Sequence, residues 1–463
     1  MLFSTFPFFA FLSLVLISFW LAPAAWRRWL LLLASYYFYM SWNPRFVPLL
    51  AALTAIDFYA ALWIGRVGQQ WRRPALIASI TANLGFLGFF KYYNFLAGMV
   101  ASAMGRPADA FLLAIILPLG ISFHTFQSMS YVIDVYRGRQ DPIRDPVDYA
   151  LFISFFPQLV AGPIVRAREF FGDLYDWRPP SAGEIRLGVL TVFFGLTKKV
   201  VCADQCTLLV DRYFSGIAAH PGVLPAWSAA ATFAAQVYFD FSGYSDMAIG
   251  MALLFGFRFP ENFRRPFLSD CITEYWQRWH MTLSRWFRDY LYFPLAGRRV
   301  RTARSYGALL AVLLLVGLWH GAAWRFVVWG GYLGVVMCLE RLLGIRPLRF
   351  KHRPWLYLLR VPVAFLVFAA GTGLFRAPDL HVAGVVYRQM FAGVAGAPLL
   401  NAWQIGLAAI ALLLAILEEW LGWFGRVATG PLWAYGGVLA VLFAALEMFS
   451  VTEVSVPFIY FQF

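Results

Sequence analysis

Charge is scarce in this sequence. Only 13% of the 463 residues are Asp, Glu, Lys or Arg, and 61% are hydrophobic. A soluble domain carries about 25% charged and 45–50% apolar residues. An ordinary water-soluble enzyme is therefore excluded, and so is a disordered chain, which needs dense charge and few aromatics. Cysteine is scarce too, with Cys202, Cys206, Cys271 and Cys338 as the whole set. Cys202 and Cys206 lie one helical turn apart with no histidine nearby, so neither a disulfide framework nor a zinc site is indicated. The motifs of soluble chemistry are missing as well. There is no Gly-x-Ser-x-Gly elbow, phosphate-cradling loop, dinucleotide fingerprint or His-Glu-x-x-His signature.

Aromatic residues and long apolar runs are abundant. Phe, Tyr and Trp make up 19% of the chain, as 46, 22 and 19 residues. The net charge is 38 − 24 = +14. The basic residues sit in short clusters between apolar runs, which reads as topology and contact with anionic lipids, not nucleic-acid binding.

A membrane-crossing helix needs about 20 apolar residues. Candidate spans are 3–22, 29–42, 46–64, 75–97, 110–136, 185–210, 225–256, 305–320, 323–343, 354–375, 402–421 and 431–450. The expected fold is an all-α integral membrane protein of about 11–12 transmembrane helices, forming one polytopic domain over residues 1–463. The 225–256 run is long and carries polar residues, so a bend or break is expected there. No Lys or Arg precedes the first run, and it is longer than a usual signal h-region, so it reads as a retained helix. Basic clusters give the orientation. Arg27 and Arg28, Arg66, Arg72 and Arg73, Arg137, Arg139 and Arg144, Arg298, Arg299, Arg301 and Arg304, and Arg346, Arg349, Lys351 and Arg353 mark one face. The alternate loops carry little: Arg45 in one, Arg106 in the next and Arg212 in a third. The basic loops are expected in the cytoplasm and the N-terminus outside, with the C-terminus on the same outer side if the span count is even.

Two segments do not read as simple crossings. In 149–165 an apolar stretch is broken by Pro157, Gly162 and Pro163. In 274–294, Tyr275, Trp279, Leu283, Trp286 and Tyr290 form a stripe at helical spacing, with Arg278, Arg285 and Asp289 away from it. The spacing predicts an amphipathic or re-entrant helix on the cytoplasmic side. Irregular backbone at membrane depth must be buried or line a cavity, so an intramembrane pocket is expected.

Ionisable groups inside a membrane are costly and mark candidate sites. His320 stands in Val-Gly-Leu-Trp-His-Gly-Ala-Ala-Trp (316–324), flanked by Gly317 and Gly321, which permit close approach of another helix or a substrate. Neutral imidazole can take a proton and so suits a general base. A structural histidine bonded to a backbone carbonyl is the competing reading. His280, beside Ser284 one turn on, is either a second reactive group or a solvated interfacial residue. Asp240, Ser242, Tyr244 and Asp246 interrupt the run 238–248. They read as groups that orient a histidine or bind a polar ligand, or as a pair fixing helix packing. His124 and Asp57 read as partners of neighbouring helices. Histidine chemistry without metal fits acyl transfer to a hydroxyl, which needs a base and oxyanion donors.

The stretches Tyr275-Trp276-Gln277-Arg278-Trp279-His280-Met281-Thr282-Leu283-Ser284 and Trp319-His320-Gly321 resemble the membrane-bound O-acyltransferase family. So do Phe155-Phe156-Pro157-Gln158-Leu159-Val160-Ala161-Gly162-Pro163-Ile164, the run Tyr238 to Gly250, and the terminus Pro457-Phe458-Ile459-Tyr460-Phe461-Gln462-Phe463. The resemblance covers nearly the whole chain in order and is greatest to bacterial members that act in alginate acetylation. It implies a helical bundle around a cavity, with His320 as the essential histidine, His280 as its partner and Trp319 beside the site. It implies acetyl-CoA as a cytoplasmic donor with no tightly bound cofactor. Acetyl groups would pass across a bacterial inner membrane to periplasmic O-acetyltransferases of the polysaccharide biosynthesis and export machinery. Arg278 and Arg285 are candidates for the CoA phosphates. Acetylation of cellulose or another glycan, and D-alanyl transfer to teichoic acid, remain open. A transporter would show paired broken helices in two halves. A scaffold that only recruits periplasmic enzymes would not need His320.

Overall fold

The computed structural model describes every residue except Ala161, 298–301, Arg349, Lys351, 451–457 and 460–463. The basic residues Arg298, Arg299, Arg301, Arg349 and Lys351 lie outside the described residues, as do Ala161, Pro457 and Tyr460 to Phe463 of the sequence motifs. The described residues form helices and loops, with no strand among them. Among the described residues, six helices are long and apolar enough to cross a membrane: Pro44–Arg66, Gln69–Ala103, Ala303–His320, Pro354–Arg376, Ala402–Leu421 and Leu432–Phe449. The other apolar runs form shorter, interrupted or more polar helices.

Three differences from the expected spans have local causes. The 110–136 run is helical only over Ile121–Tyr136, because Pro118 and a left-handed Gly120 (φ 67°) precede it. The 185–210 run is helix Ala182–Thr197, a π-helical turn Lys198–Ala203, and helix Asp204–Ser215. The 225–256 run, expected to bend or break, is one continuous helix, Val223–Leu254. Its buried acid, Asp240, finds an ion-pair partner on another helix, so the backbone need not unwind.

The chain forms two compact units, Met1–Val192 with Ser245–Pro260, and Phe193–Tyr244 with Glu261–Phe463. In the first, helices Val47–Arg66 and Gln69–Leu87 are tied by Asp57. Its carboxylate accepts from the Ser79 hydroxyl (2.6 Å) and the Asn83 amide (2.8 and 2.9 Å). Asp57 is therefore an interhelical tie, as its sequence context suggested. The helix Ile121–Tyr136 is buried over most of its length, His124 included. The broken segment is real: helix Pro146–Ser154 stops, and Phe155 to Val160 stay buried as a short turn and loop. Phe155 packs there against Phe257 (ring centroids 5.0 Å). At Gly188 and Gly250 the helices Ala182–Thr197 and Val223–Leu254 cross so closely that a Cβ on Gly250 would lie 2.6 Å from the Gly188 carbonyl oxygen.

In the second unit the same two helices cross again, where a Cβ on Gly243 would lie 2.6 Å from the Gly195 oxygen. The unit's central feature is the hairpin of helices Ala303–His320 and Trp324–Leu342. A Cβ on Gly317 would meet the Phe326 carbonyl oxygen at 2.1 Å, and one on Gly330 would meet the Leu313 oxygen at 2.2 Å. Only glycine allows this crossing, and it fixes where the first helix ends, at His320. Ala402–Leu421 and Leu432–Phe449 have no fully buried residue, though each packs on the unit along one side, through Glu419 to Arg278 and through Phe443 to Phe193. A groove lined by Tyr306, Leu310, Val335, Cys338, Leu339 and Leu342 runs along the hairpin. It starts more than two turns from His320 along the helix, and its surface is apolar.

Candidate active site

The segment expected as one amphipathic helix is broken at the residue that matters. Helix Ile272–Arg278 stops, Trp279 is extended, and helix Met281–Phe287 begins directly after His280. The stripe residues Tyr275, Trp279, Leu283, Trp286 and Tyr290 are all buried, so the periodicity located the inner face but not the break. His280 occupies the left-handed region (φ 40°, ψ 53°), a conformation that costs a non-glycine residue about 1–2 kcal/mol. Such strain persists only where the surroundings enforce it.

Asn262 provides the enforcement. Its Oδ1 accepts from Thr282 N–H (3.3 Å) and the Thr282 hydroxyl (2.9 Å), and His280 Nδ1 lies 3.1 Å away. The backbone closes the same loop, with Met281 N–H donating to the Asn262 carbonyl (2.8 Å) and Arg264 N–H to that of Arg278 (2.8 Å). An amide oxygen that accepts from Thr282 also accepts from the imidazole, which assigns the proton to Nδ1 and the lone pair to Nε2. Asn262 was not singled out from sequence. It lies 18 residues from His280, in a loop whose composition carries no motif. Phe241 packs edge-on to the His280 ring (4.6 Å, 85°), and Phe263 lies nearly parallel at 6.1 Å.

His320 is the last residue of its helix and is 3% exposed. Aromatic rings surround it: Trp319 at 4.9 Å, Trp329 at 5.1 Å with its plane perpendicular, and Phe375 at 5.3 Å. Arg325 braces this wall by donating to the Phe375 carbonyl (2.6 Å) and to that of Ala377. Gly321 leaves room for Phe326, whose ring lies 2.0 Å from where a Cβ would be. The structure brings the two histidines to one ring, because Trp319 is also 6.1 Å from the His280 ring. Two buried imidazoles flanking one indole form a site with capacity for proton transfer in apolar surroundings.

The remaining candidates are distributed more widely. Asp240 lies in the same unit, with its carboxylate against Lys199 Nζ (2.8 Å) and accepting from Ile459 N–H (2.7 Å). Ser242 and Tyr244 are fully buried near it on helix Val223–Leu254. Asp246 is half-buried, farther along the same helix, and belongs to the first unit. Arg278 is engaged by Glu274 (2.9 Å) and Glu419 (3.2 Å), so its charge is already matched by carboxylates. Arg285 is half-buried and forms no ion pair among the described residues.

Residues 142–376 match the model of the MBOAT, membrane-bound O-acyltransferase family. A protein of Azotobacter vinelandii named probable alginate O-acetylase AlgI is 42% identical over 391 residues, covering 83% of this chain and 76% of that one. A peptidoglycan O-acetyltransferase of Helicobacter pylori is 36% identical over 80% of this chain and 74% of its own length. A teichoic acid D-alanyltransferase of Bacillus subtilis is 29% identical over 57% of this chain and 69% of its own length. The chain belongs to the membrane-bound O-acyltransferase family. It is a multi-pass membrane O-acyltransferase.

Proposed function

We propose that the chain takes acetyl groups from cytoplasmic acetyl-CoA and passes them across a bacterial inner membrane for O-acetylation of an extracytoplasmic polysaccharide, alginate first among candidates. The observation that carries the reading is the pair of buried imidazoles against Trp319. The names of the relatives at 42% and 36% identity support acetyl transfer to surface polymers. His320 acts as the base. It takes the proton of the accepting hydroxyl as that oxygen attacks the thioester carbonyl, and the C–S bond breaks on collapse. The proton then leaves with the CoA sulfur, so the histidine is restored. His280, held in one tautomer by Asn262, presents Nε2 to the reacting groups and shares the proton.

Arg285 is the better placed of the two arginines for a CoA phosphate, since Arg278 already carries two carboxylate partners. Basic loops face the cytoplasm in this reading, no cofactor stays bound, and periplasmic O-acetyltransferases receive the group. Purified protein in liposomes, given radiolabelled acetyl-CoA on one face and alginate, peptidoglycan or cellulose acceptors on the other, tests it. Label transferred by wild type and not by His320→Ala is expected. Equal transfer by both would remove His320 from the chemistry. Transfer only from an acyl-carrier thioester would replace the donor.

A further inference from the structure

Among the described residues of the second unit, Lys199 is the most deeply buried cation, at 1% side-chain exposure. It sits in the π-helical turn Lys198–Ala203, an irregularity frequent at functional positions. Its ammonium lies 2.7 Å from Asp204 and 2.8 Å from Asp240. A buried ion cluster stabilises little by itself against the desolvation of its members, so its retention asks for another reason. The second Asp240 oxygen supplies one. It accepts from the backbone N–H of Ile459, 219 residues later (2.7 Å). Phe458 beside it is fully buried, its ring tilted against Tyr244 (centroids 4.5 Å, 53°) and packed against Phe241 (5.7 Å). Phe241 is the ring that packs edge-on to His280.

We propose that Lys199, Asp204 and Asp240 form a clamp that holds the Phe458–Ile459 segment inside the second unit, where Phe458 backs the Phe241 ring on which His280 rests. Lys199 fixes the orientation of the Asp240 carboxylate, and Asp240 captures a main-chain donor that no side-chain change at 459 can remove, except proline. The three ionic residues are positioning residues, and the Phe458–Phe241–His280 ring series couples the captured segment to the site. The effect of the clamp on turnover rests on the acetyl transfer proposed above. The capture itself rests on geometry.

The two parts are separated by testing Ile459→Pro against Ile459→Ala. Proline deletes the N–H and leaves the ionic cluster intact, whereas alanine keeps the donor. A Phe458→Cys reporter in each background, and in Asp240→Asn, is treated with a membrane-permeant maleimide, and labelling is read by mass spectrometry of the C-terminal peptide. Expected is slow labelling in the reporter alone and with Ile459→Ala, and labelling at least about tenfold faster with Ile459→Pro and Asp240→Asn, the scale of losing one charge-assisted hydrogen bond. Acetyl turnover without the reporter should fall about tenfold or more in Ile459→Pro and stay within about twofold in Ile459→Ala. Equal labelling in all backgrounds overturns the clamp, as does an equal fall of turnover in the proline and alanine variants. Differential labelling with a wild type that transfers no acetyl group would uphold the capture and refute the proposed acetyl transfer instead.

Discussion

Replacing Asn262 with alanine removes one oxygen and strands three donors. Thr282 N–H, the Thr282 hydroxyl and the imidazole Nδ1–H all converge on Asn262 Oδ1, and the residues are at most 4% exposed. A buried donor left without a partner costs about 1–3 kcal/mol, so three of them cost about 3–6 kcal/mol once partial relaxation is allowed. The left-handed conformation of His280 adds about 1–2 kcal/mol of strain that the Asn262 contacts presently offset. Two routes relieve the conflict: His280 leaves φ +40°, or its ring swaps tautomer to seek another acceptor. Either moves Nε2 away from its present role, and a loss of about 2.7 kcal/mol in transition-state stabilisation already slows turnover about 100-fold. The expected result is therefore turnover down at least about 100-fold in Asn262→Ala, with membrane-inserted protein still recovered. Asn262→Asp keeps an acceptor oxygen at the same position and should retain clearly more activity than Asn262→Ala. The assay is acetyl transfer in liposomes, with protein quantified in the membrane fraction. Turnover of Asn262→Ala within about twofold of wild type would refute the assignment of Asn262 as the tautomer-fixing residue, since even one stranded donor is worth more than that.

Other outcomes are equally specific. His320→Gln should abolish polymer acetylation while leaving the protein in the membrane, read by acetyl content of the polymer and by immunoblot. Gly317→Ala should lower the melting temperature in detergent, because its methyl meets the Phe326 carbonyl at 2.1 Å and overpacking costs about 1–3 kcal/mol. Gly307→Ala, in the same helix with nothing within 4 Å, should leave the melting temperature unchanged or raise it. Glu184 is held down to about 2, from an ordinary 4.5, by the Ser181 backbone N–H first and then by Arg258. Its folded value is depressed, so its contribution is fully present above about pH 4.5 and is lost as pH falls toward 2. Glu184→Gln should flatten that part of the stability–pH curve, measured by thermal unfolding between those limits.

Composition alone made this chain a membrane protein, because 61% apolar and 13% charged residues leave too little polar surface for water. Local chemistry also placed His320 correctly at a helix end between glycines, since the Gly317 and Gly321 positions admit nothing larger. The buried stripe from Tyr275 to Tyr290 followed from helical periodicity in the same way. Local patterns did not reveal the break at His280. A histidine at positive φ has no signature in its neighbours and is held there by an asparagine 18 residues earlier. The polar interruption at 238–248 suggested unwinding, yet the helix runs through it, because Lys199 on another helix neutralises Asp240. Whether a polar residue in an apolar run bends a helix depends on what stands opposite it. Periodicity and composition act along the chain and are set by residue type. The tautomer of His280, the shared Trp319 wall and the ionic clamp depend on groups far apart in sequence, so only the folded bundle, where buried polar atoms must find partners, decided them.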